Sequence, residues 1–282
     1  MLKFCSSSLA KFYSSSLVKL IIKLFLPKFI KNKIKKIFFK YYFFPTNLKS
    51  LPKNSYPEKF DYNYQKDLIK KFEVKEKQSS FMSCPHLISL LSTKFSFDQE
   101  FSFLDVGGER IDFYLHLKKK FKNIKYYVFN QKNLLDVFFN IKSDFSLEGL
   151  NVISNISEIY NNQYDFVNFG ASIQYIDNYE EFLNKITSNE NKYIFFSAVT
   201  NYLSDNENYK KKMVVKQVNV FPQINYLYFL NKDYLYNVLF KQNYILLFEK
   251  KNTTDVINYD NFKNLLKAIE YTDIMFEKKF QK

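Results

Sequence analysis

The residues best suited to chemistry lie in the stretch 101–108, where an apolar run ends in Asp105 and the adjacent Gly107 and Gly108. The chain has only four glycines, and two of them stand in this one turn. Glycine lets a backbone pass close to a ligand, and a helix that follows offers free N–H groups in its first turn. A helix-like segment and a second apolar run, 126–129, come next. This order predicts the first half of a nucleotide-binding βαβ unit.

The strand candidates are 101–106, 124–129, 150–154, 164–169 and 193–198, and Gln174 and Tyr175 follow the fourth of them. Ligands of open α/β sheets bind at the carboxyl ends of the strands, so these two residues are candidates for the same site. The plainer alternatives are a turn cap for Asp105, loop positions for Asn130 and Gln131 after the second strand, and packing under the next helix for Tyr175.

The elements that must position these residues alternate between strands and helices. Helix candidates fall at 66–95, 110–121, 133–140, 178–187 and 231–241, the fourth with Asp177 as its cap and Glu180 three residues later. Two further strand candidates, 244–248 and 272–276, come late in the chain. The alternation predicts a parallel sheet covered by helices, and the late strands predict an antiparallel pair at its edge.

The positive charge is concentrated at the N-terminus. The chain has a formal net charge of +14, and residues 1–50 hold eleven lysines and no acidic residue. The sequence therefore predicts two parts: a basic arm with a proline-containing linker at 1–59, and a globular domain at 60–282. Within the arm, 17–30 has the pattern of a basic amphipathic helix, which could contact an anionic membrane surface or pack on the domain. We expect a cytoplasmic protein, peripheral on the inner face of the membrane if the first alternative holds.

Several classes of function are disfavoured by what the sequence lacks. Arg110 is the only arginine, and lysine is a poor bidentate reader of bases, so a nucleic-acid partner is not expected. The two cysteines, Cys5 and Cys84, have no metal-ligand or disulfide spacing, which favours a reducing compartment and no metal. There is no Gly-x-Ser-x-Gly motif and no Walker loop.

Four stretches together make the chain resemble class I S-adenosylmethionine-dependent methyltransferases. Within that superfamily it is similar to a little-characterised bacterial family of methyltransferase-like proteins associated with surface-polysaccharide genes. The resemblance covers roughly residues 60–280, and its most specific part is Ser172-x-Gln174-Tyr175. The matching stretches are LDVGG (104–108) with Tyr114, FNQ (129–131), DFVNFGASIQYIDNYEEFL (165–183) and VVKQVNVFP (214–222).

The resemblance implies a Rossmann-like, seven-stranded, mostly parallel sheet with an antiparallel edge strand, helices on both faces, and an N-terminal helical basic extension. It implies S-adenosyl-L-methionine as the cofactor and a small-molecule or glycan acceptor. Tyr175 and Gln174 would serve the acceptor, and Gln217 and Pro222 would belong to an acceptor lid. The implied cofactor-binding residues are Asp105, Gly107, Gly108, Glu109, Asn130, Gln131, Ser154, Asn155, Phe169, Gly170 and Ala171.

Two positions depart from the family pattern. Ile111 replaces the third glycine of the turn, and Asn130 stands where an acidic residue usually binds the ribose hydroxyls. Losing a charge-assisted hydrogen bond costs about 1–3 kcal/mol, enough to weaken cofactor binding about tenfold. A catalytically inactive binding module is therefore the first alternative, ahead of a nicotinamide-dependent sugar-modifying enzyme and a nucleic-acid methyltransferase. The absence of an Asn/Asp-Pro-Pro-aromatic loop after strand four favours an oxygen acceptor.

Overall fold

The computed structural model describes residues 41–52, 61–74, 85–204, 206–218, 224–252, 257–262 and 265–279. Contacts between Cα atoms divide the chain into two units. Of the described residues, the larger unit comprises those within 58–200, 233–251 and 271–282. The smaller unit comprises those within 1–57, 201–232 and 252–270.

Helices and strands alternate along most of the described chain. The α-helices are α1 Tyr62–Val74, α2 Pro85–Lys94, α3 Ile111–Lys120, α4 Lys132–Asp144, α5 Ile156–Asn161, α6 Tyr179–Ser188 and α7 Lys232–Phe240. The strands are β1 Tyr41–Pro45, β2 Phe101–Val106, β3 Ile124–Phe129, β4 Leu150–Val152, β5 Phe166–Gly170, β6 Tyr193–Leu203, β7 Lys212–Val218, β8 Ile224–Asn231, β9 Tyr244–Lys251, β10 Ile257–Asn258 and β11 Lys267–Lys278. Short 3-10 helices occur at Ser172–Tyr175, Glu207–Tyr209 and Asp260–Phe262.

The sheet of the larger unit has the predicted Rossmann-like architecture. Its parallel strands follow the order β4-β3-β2-β5-β6. The chain builds the sheet outward in one direction from β2 to β4 and in the opposite direction from β5 to β6, so the switch point lies between β2 and β5. The last strand, β11, pairs with β6 and, in antiparallel direction, with β9. Strand β11 therefore lies between β6 and β9, and β9 pairs with β11 alone. The prediction of a mostly parallel sheet with late antiparallel strands is confirmed.

Helices cover both faces of this sheet. Apolar residues of β2, β3, β5 and β6 form one buried cluster with residues from α1, α2, α3 and α4; Phe103, Tyr126 and Phe166 stack at its centre. On the other face Phe169 contacts Phe182 of α6. Burial on both faces explains why these strands are nearly continuous apolar runs rather than alternating ones.

The smaller unit is built around an antiparallel sheet. Strand β7 pairs with β8 and with β1, and β10 adds to β1 in parallel direction. Aromatic side chains pack in its core, with the rings of Phe43 and Phe229 5.1 Å apart and Phe229 also against Phe262. The sequence did not predict β1, β7, β8 or β10. Strand β1 comes from the part of the chain that was predicted to be an arm.

Some local predictions need correction. The segment predicted as one helix at 66–95 contains two helices, α1 and α2. Helix α6 begins after Asn178 rather than Asp177, and the side chain of Asn178 makes no capping hydrogen bond. None of the described helices is long and apolar enough to cross a membrane. The predicted amphipathic helix at 17–30 lies outside the described residues.

Candidate functional site

The turn after β2 is held by close packing at both glycines. Gly107 has φ +81, in the left-handed region that favours glycine, and a Cβ there would lie 2.3 Å from the Cβ of Ser172. A Cβ on Gly108 would lie 2.3 Å from Oδ2 of Asp105. The N–H of Gly107 donates to the carbonyl of Phe129 at 2.7 Å, which joins the turn to the end of β3. The packing of the folded protein therefore requires glycine at both positions, whether or not a ligand binds.

Asp105 is buried beneath this turn. Its Oδ1 accepts a 2.7 Å hydrogen bond from Nδ2 of Asn168, and its Oδ2 accepts one from the hydroxyl of Tyr126. Burial raises the pKa of the Asp105 carboxyl to about 6, although both hydrogen bonds act to lower it. Asp105 therefore packs directly against Gly108, and its carboxylate occupies the space that a side chain at 108 would need.

Glu109 and the N–H groups around it form the open side of the turn. Burial raises the pKa of the Glu109 carboxyl to about 7, and neighbouring Arg110 opposes the shift. The Glu109 carboxylate accepts no hydrogen bond from the residues that the structure describes. Among the residues that the structure describes, the N–H groups of Gly108, Glu109 and Arg110 also have no hydrogen-bond partner. The turn therefore offers donors and one titratable carboxylate side by side, next to the N-terminus of α3.

Ile111, which stands at the third glycine position of the family pattern, is accommodated in the core. It is fully buried and begins α3. Its N–H donates at 2.9 Å to Oε1 of Gln65 in α1. The crowding expected at this end of the turn is relieved because the Ile111 side chain points into the apolar cluster instead of toward the turn's open side.

Asn130 and Gln131 follow β3, and the side chain of Asn130 already bonds to the backbone. Its Nδ2 donates at 2.8 Å to the carbonyl of Gly108, and its Oδ1 accepts at 2.7 Å from the N–H of Gln131. Gln131 is exposed and immediately precedes α4. Asn130 thus links the ends of β2 and β3, and its Oδ1 has one lone pair left for a ligand.

Ser154 and Asn155 follow β4 and are both exposed. Asn155 caps α5, because its Oδ1 accepts a 2.9 Å hydrogen bond from the N–H of Ser157. The capping role accounts for Asn155 within the protein. Ser154 lies at the carboxyl end of β4, on the same edge of the sheet as the turn after β2.

The segment after β5 packs directly on that turn. Ser172 donates its hydroxyl to the carbonyls of Val106 and Phe169, each at 2.6 Å. Phe169 is buried, whereas Gly170 is half-buried and Ala171 is exposed. Gly170 and Ala171 are therefore the more accessible residues of a segment that Ser172 holds on the turn.

Gln174 connects the segment after β5 to β6. Its Nε2 donates at 3.1 Å to the carbonyl of Ala198, and its Oε1 accepts at 2.9 Å from the N–H of Thr200. Ala198 has φ 58, a left-handed conformation that is rare for a residue with a Cβ, and its N–H donates to Asp273 at 2.8 Å. Gln174 is buried and both ends of its amide bond to backbone, whereas neighbouring Tyr175 is half-buried.

The structure therefore brings the predicted residues to one edge of the larger unit, after the carboxyl ends of β4, β3, β2 and β5. Their individual roles stay predictions. His86 lies elsewhere, with its Nε2 2.7 Å from Nζ of Lys250. His116 packs on Phe72, as expected of a structural histidine. The described residues contain no group of three or more His, Cys, Asp or Glu that could hold a metal ion.

Four residues at this edge were missed by reasoning from the sequence: Gln65, Tyr126, Asn168 and Asp273. Asn168 carried a usable signal, since it is a polar residue in an otherwise apolar strand. It pairs with Asp105 in register, a relation that only the strand order supplies. Asp273 carried a similar signal in the strand candidate 272–276, whereas Gln65 and Tyr126 carried none.

No protein-family model matches this chain, and no curated protein matches it. Solved structures with a similar fold include the N-terminal domain of EvdMO1 with SAH bound, at 11% identity and a TM-score of 0.49, covering 72% of this chain and 82% of that one. Another is a S-adenosylmethionine-dependent methyltransferase from Clostridium acetobutylicum, at 10% identity and 0.45, covering 77% and 100%. A third is the Burkholderia thailandensis 1,6-didemethyltoxoflavin-N1-methyltransferase, at 9% and 0.45, covering 84% and 94%. At such identities and scores the similarity concerns the fold alone.

Proposed function

We propose that this chain is an S-adenosylmethionine-dependent methyltransferase that acts on a hydroxyl of a sugar or glycan-linked small molecule. The observation that carries the proposal is the turn between β2 and α3. There Gly108, Glu109 and Arg110 leave their N–H groups open at the carboxyl end of a parallel strand, beside the free carboxylate of Glu109. The order of the sheet and the position of β11 support the same proposal, because they agree with the methyltransferase resemblance.

The groups at this edge fit the proposed cofactor. S-adenosylmethionine carries an ammonium and a carboxylate at its amino-acid end, and a bound molecule would supply an activated methyl group on a sulfonium. The Glu109 carboxylate is suited to the ammonium, and the open N–H groups of the turn are suited to the carboxylate. Ser154 and Asn155, after β4, remain the candidates for the adenine, and Asn130 and Gln131 for the ribose.

Acceptor binding is assigned to the segment after β5. Tyr175 is half-buried and ends the 3-10 helix that follows Gly170 and Ala171, so its hydroxyl is the candidate for orienting an acceptor hydroxyl. Orientation can supply much of the acceleration when the leaving group is already activated. Gln174 supports Tyr175 through its two backbone bonds rather than by touching the acceptor.

The resemblance to proteins associated with surface-polysaccharide genes supports a sugar or glycan acceptor. The lysine-rich arm supports contact with an anionic lipid surface. The proposed location is the cytoplasm, peripheral on the membrane.

One observation favours a second function, that of a cofactor-fold binding module without turnover. The amide of Asn130 bonds to Gly108 and Gln131, so the position that is usually acidic is occupied by a neutral side chain already committed to the backbone. A module of this kind would bind S-adenosylmethionine weakly or not at all.

Calorimetric titration of S-adenosylmethionine and S-adenosylhomocysteine into the full chain tests the proposal, with Glu109→Ala as the matched variant and a nicotinamide dinucleotide as the comparison ligand. Binding that Glu109→Ala weakens supports the cofactor site. Transfer of a labelled methyl group to glycans, but not to protein or nucleic acid, then supports the acceptor. Folded protein that binds neither sulfur ligand at millimolar concentration contradicts the methyltransferase proposal, and binding without transfer favours the module.

A further inference from the structure

Gln65, in helix α1, holds the turn after β2 from a distance of more than forty residues in sequence. Its Nε2 donates a 2.7 Å hydrogen bond to the carbonyl of Glu109. Its Oε1 accepts a 2.9 Å hydrogen bond from the N–H of Ile111. The side chain is fully buried, so neither bond can be replaced by solvent without opening the structure.

The rest of α1 is fixed to the same helices that border the turn. Leu68 and Ile69 belong to the buried cluster that also contains Ile111. The Tyr62 hydroxyl donates to Asp144 of α4, and Phe72 packs edge-on against His116 of α3 with ring centroids 4.9 Å apart. These contacts fix the position of α1, and with it Gln65, relative to the turn.

The two bonds of Gln65 determine which way the turn presents its donors. In a planar trans peptide the carbonyl of one residue and the N–H of the next point in opposite directions. Because Gln65 holds the carbonyl of Glu109, the N–H of Arg110 must point away from Gln65. The bond to Ile111 fixes the other end of the same short segment.

We infer that Gln65 is a positioning residue of the cofactor site, fixing the Glu109–Arg110 peptide so that its N–H faces a ligand bound at the turn. In this turn Ile111 stands at the third glycine position of the family pattern, and the two hydrogen bonds of Gln65 order the backbone there. The inference rests on the proposed function for the identity of the ligand. The orientation of the peptide itself is independent of that function.

The test compares Gln65→Met with Tyr62→Phe in the full chain. Methionine keeps the size and apolar contacts of the buried side chain but makes neither hydrogen bond. Phenylalanine removes the bond between α1 and Asp144 without touching the turn. Amide hydrogen exchange of Ile111 reports, without any ligand, whether the hydrogen bond from Ile111 to Gln65 is formed. Calorimetry with S-adenosylmethionine reports the effect of losing the Gln65 hydrogen bonds on cofactor binding.

We expect Gln65→Met to speed exchange at the Ile111 amide at least tenfold and to weaken S-adenosylmethionine binding about tenfold, with Tyr62→Phe unchanged in both. Wild-type exchange or affinity in folded Gln65→Met overturns the inference, as does an equal loss of affinity in Tyr62→Phe. If Gln65→Met does not fold, the wild-type protein decides: saturating S-adenosylmethionine must slow exchange at the Arg110 amide, and no change there overturns the inference. A wild type that binds no S-adenosylmethionine contradicts the proposed function, and the exchange rate of Ile111 still decides whether Gln65 orders the turn.

Discussion

Asn168 lies beside Asp105 in register on neighbouring parallel strands, and its Nδ2 donates a 2.7 Å hydrogen bond to Asp105 Oδ1. Tyr126, from the strand on the other side of β2, donates to the second carboxylate oxygen. Asp105 is thus held from both sides beneath Gly108, and its position is decided by the strand order. This explains a buried carboxyl group at a place where the backbone must also make a tight turn.

The first prediction concerns the pH dependence of stability. The pKa of Asp105 is raised by burial from 3.8 to about 6 in the folded protein. Between these values the unfolded chain has lost the proton that the folded protein keeps, so rising pH removes stability across this window. The loss is roughly 3 kcal/mol once the pH exceeds 6, because each pKa unit corresponds to about 1.4 kcal/mol.

The Asp105→Asn variant provides the matched comparison for this prediction. It keeps the shape of the side chain and does not titrate. Its Nδ2 is a donor where Asp105 has a second acceptor oxygen, so the Tyr126 hydroxyl must accept there instead of donating. The free energy of unfolding by urea, measured from pH 4 to 8, should fall more steeply for the wild type than for Asp105→Asn. Parallel profiles would show that Asp105 carries no such shift.

The second prediction separates two glycines of the site. Gly108→Ala places a Cβ 2.3 Å from Oδ2 of Asp105, a carboxylate that Asn168 and Tyr126 hold in place. We expect a loss of about 3 kcal/mol in unfolding free energy. Gly170→Ala is the control, because its Cβ would meet nothing within 4 Å; only its φ of +49 opposes the change, at about 1 kcal/mol. Equal losses from chemical denaturation would contradict the packing explanation.

The third prediction uses the left-handed residue in β6. Ala198 has φ 58, and glycine adopts this conformation without the steric cost that a Cβ imposes. Ala198→Gly should therefore raise the unfolding free energy by about 1 kcal/mol. Ala171→Gly, at φ −91, should not stabilise the protein. Destabilisation by Ala198→Gly, measured in urea, would mean that the Cβ makes a contact worth more than the strain.

The fourth prediction concerns proton release on cofactor binding. The pKa of Glu109 is raised by burial to about 7, so near neutral pH the carboxyl is half protonated. Only its ionised form attracts an ammonium group, so S-adenosylmethionine affinity should rise up to about tenfold from pH 6 to pH 8. Binding near pH 7 should release about half a proton, which calorimetry in buffers of different ionisation enthalpy measures. Glu109→Gln should abolish both effects, and a pH dependence retained in that variant would assign the proton to another group.

The part of the fold that could be predicted from the sequence is the part with local, periodic signals. Apolar runs of strand length separated by helical segments predicted the β2–β6 alternation, with several ends within two residues of the structure. The antiparallel strands of the smaller unit were not predicted. In β7 and β8 most residues are buried or half-buried, so neither shows the alternation that identifies a strand with one exposed face.

The sequence by itself determined the class of the sheet, the concentration of candidate residues after its strands and the glycine turn beside Asp105. These follow from composition and spacing, which act over a few residues. Only the tertiary structure decided that Asn168 and Tyr126 hold Asp105, that Gln174 bonds to backbone at both ends, and that Gln65 closes the turn. Each of these joins residues at least twenty positions apart, and such contacts depend on strand order and helix packing, which no local pattern encodes.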